Sequence, residues 1–401
     1  MNFGKIKRTF KRRWSKVSAS RRAVLVAFFI GFFNVYLCCT FGNLPYQGEL
    51  GNYLDRRLID LWFLLRGQAS PPKDVVIISV DERSHEALGA SMLGPWPRVL
   101  TAKLLEKLAE YKPKKIMLDF RYAEKRDPVI DERLAKAIQL SPTYIARFKN
   151  EDNRTTIDGT NEESYYLDPA PLFKKSARGT YFAVFYTQFG VIRNFYTGDK
   201  SNDYTVPAGQ FIYDGEAKNH PLPSYRDFIN FYGPPGTVPS VPFFKVLDEE
   251  HPLPLDAFKD KYVFVGQQLF LNYTATQTDT FMTPYNRYTA GVEIHATTVA
   301  NLLTQSWISN LSIEGERIYQ FLFAAIASYL IIFLKPSQGG VLLGCVIFGW
   351  AIVSYTAFRF GYFIPGVIPV LLVLPLLYVF TCVRYYFRMR QLEVAMGLKK
   401  S

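Results

Sequence analysis

At 401 residues, with 49% hydrophobic and 20% charged positions, the chain is too long for one small domain and too apolar for a disordered one. Its formal net charge of +12 is confined mostly to the two ends. That placement argues against a nucleic-acid surface on a folded domain and fits flanks that meet anionic lipid headgroups.

Residues 1–22 carry nine Lys and Arg and no acid. Ala23 to Phe41 follows as an apolar run close to the roughly 20 residues that a bilayer crossing needs. Three more apolar runs, 317–334, 341–358 and 363–383, close the chain. The layout predicts four transmembrane helices and one exported block, residues 42–316. Basic flanks stay cytoplasmic, which puts both termini inside a cell or inner membrane. The first run follows a long basic lead-in and precedes no small-residue cleavage site, so it is expected to remain as an anchor.

All four cysteines, Cys38, Cys39, Cys345 and Cys382, lie in or beside these runs. The exported block has none, so it must rest on a hydrophobic core without disulfides.

Within that block, Tyr53 to Leu65 has the pattern of an amphipathic helix ending near Gly67. Asp74 to Asp81 is a continuous β-branched run with an acidic end, the pattern of a buried strand. Pro97 can open a helix whose apolar face is Val99, Leu100, Leu104, Leu105 and Leu108. Lys114 to Asp119 is a second buried strand, and Leu134, Ala137 and Ile138 mark another helix. Strands alternating with helices predict an α/β domain with a mixed, mainly parallel sheet. Asn150 to Asn161 is polar and expected as a loop. Thr180 to Phe195, broken at Gly190, has the pattern of a hairpin. Asp227 to Tyr232 and Tyr262 to Val265 are expected as short strands, and a helix starts at Gly291.

A set of short motifs runs through this block: Ser79-Val80-Asp81-Glu82, Gly94-Pro95-Trp96-Pro97-Arg98 and Ile116-Met117-Leu118-Asp119-Phe120. Phe258 to Gly266, Thr283-Pro284 and Gly291-Val292-Glu293-Ile294-His295-Ala296 complete it. In this order and spacing, over roughly residues 45–310, the chain resembles the type-two CHASE domain, an extracytoplasmic sensor of bacterial receptors. Three spans after the domain also match that family's usual plan. Two motifs depart from it: Arg121-Tyr122 stands where an apolar residue and Phe are usual, and Thr187 to Arg193 replaces an acidic turn. The resemblance implies a cytoplasmic output, most often a class III adenylate or guanylate cyclase and sometimes a kinase. Residues 384–401 are too few for such a domain, which needs about 150 or more.

Asp81 and Asp119 end predicted parallel strands, the edge where open α/β sheets bind ligands. With Asp279, and with Glu293 nearby, they can line one acidic pocket for a cation or small polar ligand. Trp96 can stack on that ligand and Arg98 can supply a charge. The competing reading makes Asp81 a helix cap, Asp119 a loop pin, Trp96 a core residue and Arg98 the partner of Asp81 or Asp119. His295 stands two residues from Glu293, the wrong spacing for a helical metal pair, and no metal or cofactor is expected. There is no nucleophile elbow, P-loop or dinucleotide-binding glycine pattern, so no catalytic residue is assigned.

In the tail, Tyr385, Met389, Leu392 and Met396 are spaced four, three and four apart, a coiled-coil seam of under two heptads. That seam predicts a parallel homodimer. The rival is an amphipathic stretch resting on membrane lipids. The reading that follows is a membrane receptor input module; a stand-alone sensor or scaffold acting through a separate kinase or other partner is the alternative.

Overall fold

The computed structural model describes residues 19–43, 49–150, 165–196, 207–213, 220–269, 279–285, 287–332 and 334–395. The basic leader before Ala19, the polar segment 151–164 and the seam residue Met396 lie outside the described residues. The chain divides into two compact units, residues 1–62 with 310–401 and residues 63–309.

Two helices come first, α1 (Ala19–Asn43) and α2 (Glu49–Arg66), and the chain passes between units within α2. In the second unit, β1 (Val75–Val80) is followed by α3 (Glu82–Ala87) and α4 (Arg98–Tyr111). Then come β2 (Lys115–Leu118), α5 (Pro128–Ile138), β3 (Thr143–Asn150), β4 (Tyr165–Leu167), α6 (Pro171–Ser176) and β5 (Gly179–Phe182). A hairpin of β6 (Thr187–Gln188) and β7 (Val191–Ile192) precedes α7 (Pro207–Ile212), β8 (Ser240–Pro242) and α8 (Phe243–Val246). The unit closes with β9 (Tyr262–Gln267), β10 (Thr280–Met282), β11 (Tyr288–Ala290) and α9 (Gly291–Thr304).

The main sheet has the order β4-β3-β2-β9-β1-β8, with β5 also on β3. Every pairing is parallel except β3 with β4. β9 sits between β1 and β2, with Phe264 opposite both Ile77 and Met117. All six residues of β1 are buried, as a parallel strand covered on both faces requires. On one face Val76, Ile78, Ile116, Leu118, Val263 and Val265 pack against Leu104, Leu105 and Leu108 of α4 and Leu134 and Ile138 of α5. A smaller sheet, β11-β10-β7-β6, lies beside α9 in sequence. Its hairpin turns at Phe189 and Gly190, both with positive φ (53° and 72°), the backbone of the two-residue turn that matches strand twist.

One expected strand is absent. Asp227 to Tyr232 forms isolated bridges at Phe228 and single backbone bonds from Ile229 N to Arg193 O and from Ala69 N to Tyr232 O, not a continuous ladder. Side chains take part of its backbone: Asn230 N donates to Asn301 Oδ1 (2.7 Å), Asn301 Nδ2 to Asn230 O (3.1 Å) and Asn194 Nδ2 to Asp227 O (3.1 Å).

The first unit is helical. Beside α1 and most of α2 it holds α10 (Ile313–Ile332), α11 (Pro336–Arg359) and α12 (Leu374–Ala395), the last preceded by a π-helical turn at Pro369–Val373. Phe28 and Phe32 of α1 pack edge-on against Phe321 of α10, and Asn34 Nδ2 donates to Gln320 O at 2.9 Å. Trp62 Nε1 donates to Ser354 Oγ at 3.2 Å, and Trp350 Nε1 to Tyr319 OH at 2.7 Å. Two described helical stretches are long and apolar enough to cross a membrane, Pro336–Arg359 and Pro369–Val394. The sequence pattern expects four. Val24–Leu37 is a shorter apolar stretch within α1, and α10 opens on Glu314 and Glu316.

Candidate functional site

Of the five residues singled out in the exported block, three are held in packing and capping contacts. Asp81 caps α3: its Oδ1 accepts from Ser84 N at 2.8 Å and Ser84 Oγ at 2.5 Å. Trp96 is buried, edge-on to His85 (5.0 Å) and Phe243 (4.9 Å).

Arg98 pairs with neither Asp81 nor Asp119. Its Nη1 meets Asp131 Oδ1 at 2.7 Å, and its Nη2 donates to Glu124 O at 2.7 Å. The guanidinium also lies over the rings of Phe173 and Tyr122. Both side chains of this ion pair are 4% exposed, and Arg126 N satisfies the second oxygen of Asp131. Tyr122, one of the two departures from the family motif, is thus part of a closed aromatic and ionic cluster. Its buried hydroxyl reaches Thr101 Oγ1 at 3.4 Å.

Asp119 and Asp279 are brought together. Asp119 follows β2, and its backbone N–H donates to Val265 O of β9 at 2.8 Å, which fixes it at the carboxyl edge of the sheet. Its side chain lies against Gly266. A Cβ on that glycine would stand 3.1 Å from Asp119 Cβ and 2.7 Å from Val292 Cβ of α9. Asp279 precedes β10, its carbonyl accepting from Gly291 N at 2.8 Å. Its carboxylate lies against the Cα of Gly291, where any Cβ would collide with it. The two glycines therefore let the first turn of α9 approach both acids.

The electrostatics of this pair are unfavourable. Burial first, and then the charge of Asp279, hold the Asp119 carboxyl well above its ordinary value; the hydroxyl of Tyr181 opposes them. Burial pushes Asp279 up to about 6. Asp279 is walled by protein yet keeps an open face to solvent, and solvent at that face works against the rise. Tyr181 is buried and donates at 3.2 Å to both Leu118 O and Asp119 Oδ1; its own pKa is driven well up by burial and by the Asp119 charge. Beside it, His295 is buried against Tyr181 and Phe185, and burial lowers its pKa to about 3. It stays neutral and does not compensate the acids.

Glu293, on the same turn of α9, is differently placed. Its carboxylate accepts from Gly236 N (2.9 Å), Val238 N (3.2 Å) and Gln268 Nε2 (3.1 Å). It ties α9 to the loop before β8. Gln268 itself is buried, and its Oε1 has no partner among the described residues.

Sequence patterns single out neither Tyr181 nor Gln268, because each acts through a fold contact with no local signature. No cluster of three metal-ligating side chains occurs among the described residues. A surface depression of about 380 Å³ lies elsewhere, lined by Glu106, Val129, Arg133 and Leu140, and its Arg133 and Glu106 pair with each other at 2.7 Å.

Residues 35–332 match the CHASE2 domain. The chain belongs to the CHASE2 family. A CHASE2 domain is an extracytoplasmic sensory domain, and the α/β unit with its mainly parallel sheet lies within the matched residues. Neither curated proteins nor solved structures give a match. The acid pair, the tyrosine and both glycines all fall inside the CHASE2 region.

Proposed function

We propose that this chain is the input module of a membrane receptor, with its CHASE2 domain outside and its helices carrying the signal inward. The observation that carries the reading is a sensory-domain match over residues 35–332, with two helices long and apolar enough to cross a bilayer in the residues that follow. In the full arrangement residues 23–41, 317–334, 341–358 and 363–383 cross the membrane. Both termini are cytoplasmic and 42–316 is exported. Reporter fusions at Asn150 and Ser401 are expected to report opposite compartments; matching signals overturn the topology.

Asp119 and Asp279 form the ligand site of this reading, and the class of ligand is a small cation or a polar molecule bearing a positive group. A cation would relieve two acids that the fold crowds together with no counter-charge against them among the described residues. Asp81, Trp96 and Arg98, held in capping, packing and ion-pair contacts of their own, stand outside the site. In a thermal-shift screen of the full chain in lipid nanodiscs, cationic ligands are expected to raise the wild-type midpoint and to lose that effect in Asp119→Asn and Asp279→Asn. Equal stabilisation of all three proteins removes the site.

The working unit is a parallel homodimer, joined through the seam of α12. Tyr385, Met389 and Leu392 are each more than a third exposed within one chain, which leaves them available for a partner. The output is a class III nucleotide cyclase or a kinase, on this polypeptide or a separate one. Such cyclases build their active sites between two chains, so a dimer lever suits them. Cysteines at Met389 and Leu392 should crosslink in membranes while one at Arg390 crosslinks poorly; equal yields at all three count against the seam.

A further inference from the structure

The acid pair is one arc of a closed ring of contacts, and the rest of the ring is aromatic. Asp119 accepts from the Tyr181 hydroxyl at 3.2 Å. The Tyr181 ring lies edge-on to His295 (5.4 Å), His295 lies against Phe185 (4.4 Å), and Phe185 stands edge-on to Phe281 (5.0 Å). Phe281 leads back to Asp279, two residues before it. The pairing of β10 with β11 extends over both, since Phe281 opposes Thr289 and Gly291 N donates to Asp279 O. Alternate residues of an extended chain share a face, so Asp279 and Phe281 project from the same side. Asp279 and Asp119, close enough for their charges to interact, complete the circuit.

The ring has a floor and a rim. Tyr181 and His295 are buried. Asp119, Phe185 and Phe281 are half-buried and Asp279 is exposed, so two carboxylates and two phenyl rings are the members open to solvent. That set suits a metal ion poorly. Calcium draws six to eight oxygens around it and magnesium keeps a tight shell of oxygens, much of it water; a phenyl ring offers neither. An alkylated ammonium fits both halves, because its charge suits the acids and its polarised methyl groups are attracted to aromatic faces.

We propose that this ring is a recognition site for an alkylated ammonium group, its charge set between Asp119 and Asp279 and its methyl groups on Phe185 and Phe281. This role rests on the ligand site proposed above; it adds the two phenylalanines as the residues that select an organic cation over an inorganic one. Carboxylates alone favour small cations of high charge density. Aromatic walls reverse that order, because they reward a weakly hydrated cation that gives up little on leaving water.

Tetramethylammonium, ammonium and magnesium chlorides, compared at equal ionic strength, are the probes, read by thermal shift on the full chain in nanodiscs of neutral lipid. Tetramethylammonium is expected to raise the wild-type midpoint at about tenfold lower concentration than ammonium. Phe185→Leu and Phe281→Leu keep an apolar side chain and should each weaken the tetramethylammonium response about threefold to tenfold without changing the response to magnesium. Phe281→Tyr keeps the ring face and should keep the response. Equal effective concentrations of tetramethylammonium and ammonium on the wild type overturn the aromatic site, even if neither leucine variant folds. If magnesium acts through Asp119 and Asp279 while tetramethylammonium has no effect, the acid site stands and the ammonium preference falls. If no cation raises the midpoint, or if Asp119→Asn and Asp279→Asn leave the tetramethylammonium response intact, both fall together.

Discussion

Two charge clusters within the sensory domain, one buried and one half-open to solvent, invite comparison. Around Arg98 every charge is answered: Asp131 faces the guanidinium, Glu124 O takes its second arm, and Arg126 N fills the remaining carboxylate oxygen. Around Asp119 the charges are alike, and a tyrosine hydroxyl is the main relief. A fold gains cohesion from the first arrangement and loses it in the second. Carboxyls shifted upward concentrate at functional sites, and the binding role proposed for Asp119 and Asp279 rests on that tendency.

The sharpest way to break the contrast is Arg98→Ala. It strands the Asp131 carboxylate in the core and should cost about 3–5 kcal/mol, read as a lowered urea midpoint. Replacing both members, Arg98→Met with Asp131→Leu, should recover most of that loss, because the burial penalty goes with the charges.

Asp119→Asn should act in the opposite direction. It removes a carboxyl whose ionisation the fold opposes, and with it the cost of that opposition, and should stabilise the full chain by about 1 kcal/mol near neutral pH. The pH profile checks the cause. A raised carboxyl contributes most to stability below its unfolded value near 3.8, and that contribution fades as pH rises through the folded one, about 6 for Asp279. Wild-type midpoints should therefore fall across that window and beyond, and the Asn variants should flatten the slope. An Asp119→Asn protein less stable than wild type at pH 8 would show the pair to be structural.

Asp81→Ala removes only a helix cap and should cost about 1 kcal/mol with the ligand response intact. Smallest of all, Glu106→Gln breaks an exposed pair with Arg133 and should leave the midpoint unchanged.

Much of the domain was legible in the sequence. Asp74 to Asp81 and Tyr262 to Val265 read as strands because continuous β-branched and aromatic runs have few other uses, and strands Val75–Val80 and Tyr262–Gln267 form there; the hairpin at Gly190 and the helix at Gly291 were marked by their glycines. Asp227 to Tyr232 has the same texture but forms no named strand, because Asn301 takes both backbone groups of Asn230 and Asn194 takes the Asp227 carbonyl, which interrupts any ladder. Asp119 could be placed at the carboxyl edge of a strand from the sequence, while Arg98 could not be assigned its partner. Asp131 lies 33 residues on, across a helix boundary with no spacing rule to read. The four apolar runs illustrate a different limit: they are visible as composition, yet only two stretches keep the length and apolarity within described helices.

What the sequence determined alone is local: where the continuous β-branched strands run, where glycine permits a turn, which ends are basic, and the family to which these patterns belong. Tertiary structure decided adjacency. The late strand β9 enters between β1 and β2, so Gly266 comes to rest beside Asp119 and α9 beside both acids. Parallel strands are joined by long crossovers, and a crossover frees the order of strands in space from their order in the chain. The same freedom brings Asp55 to the N–H groups of Gly366 and Val367, more than 300 residues away.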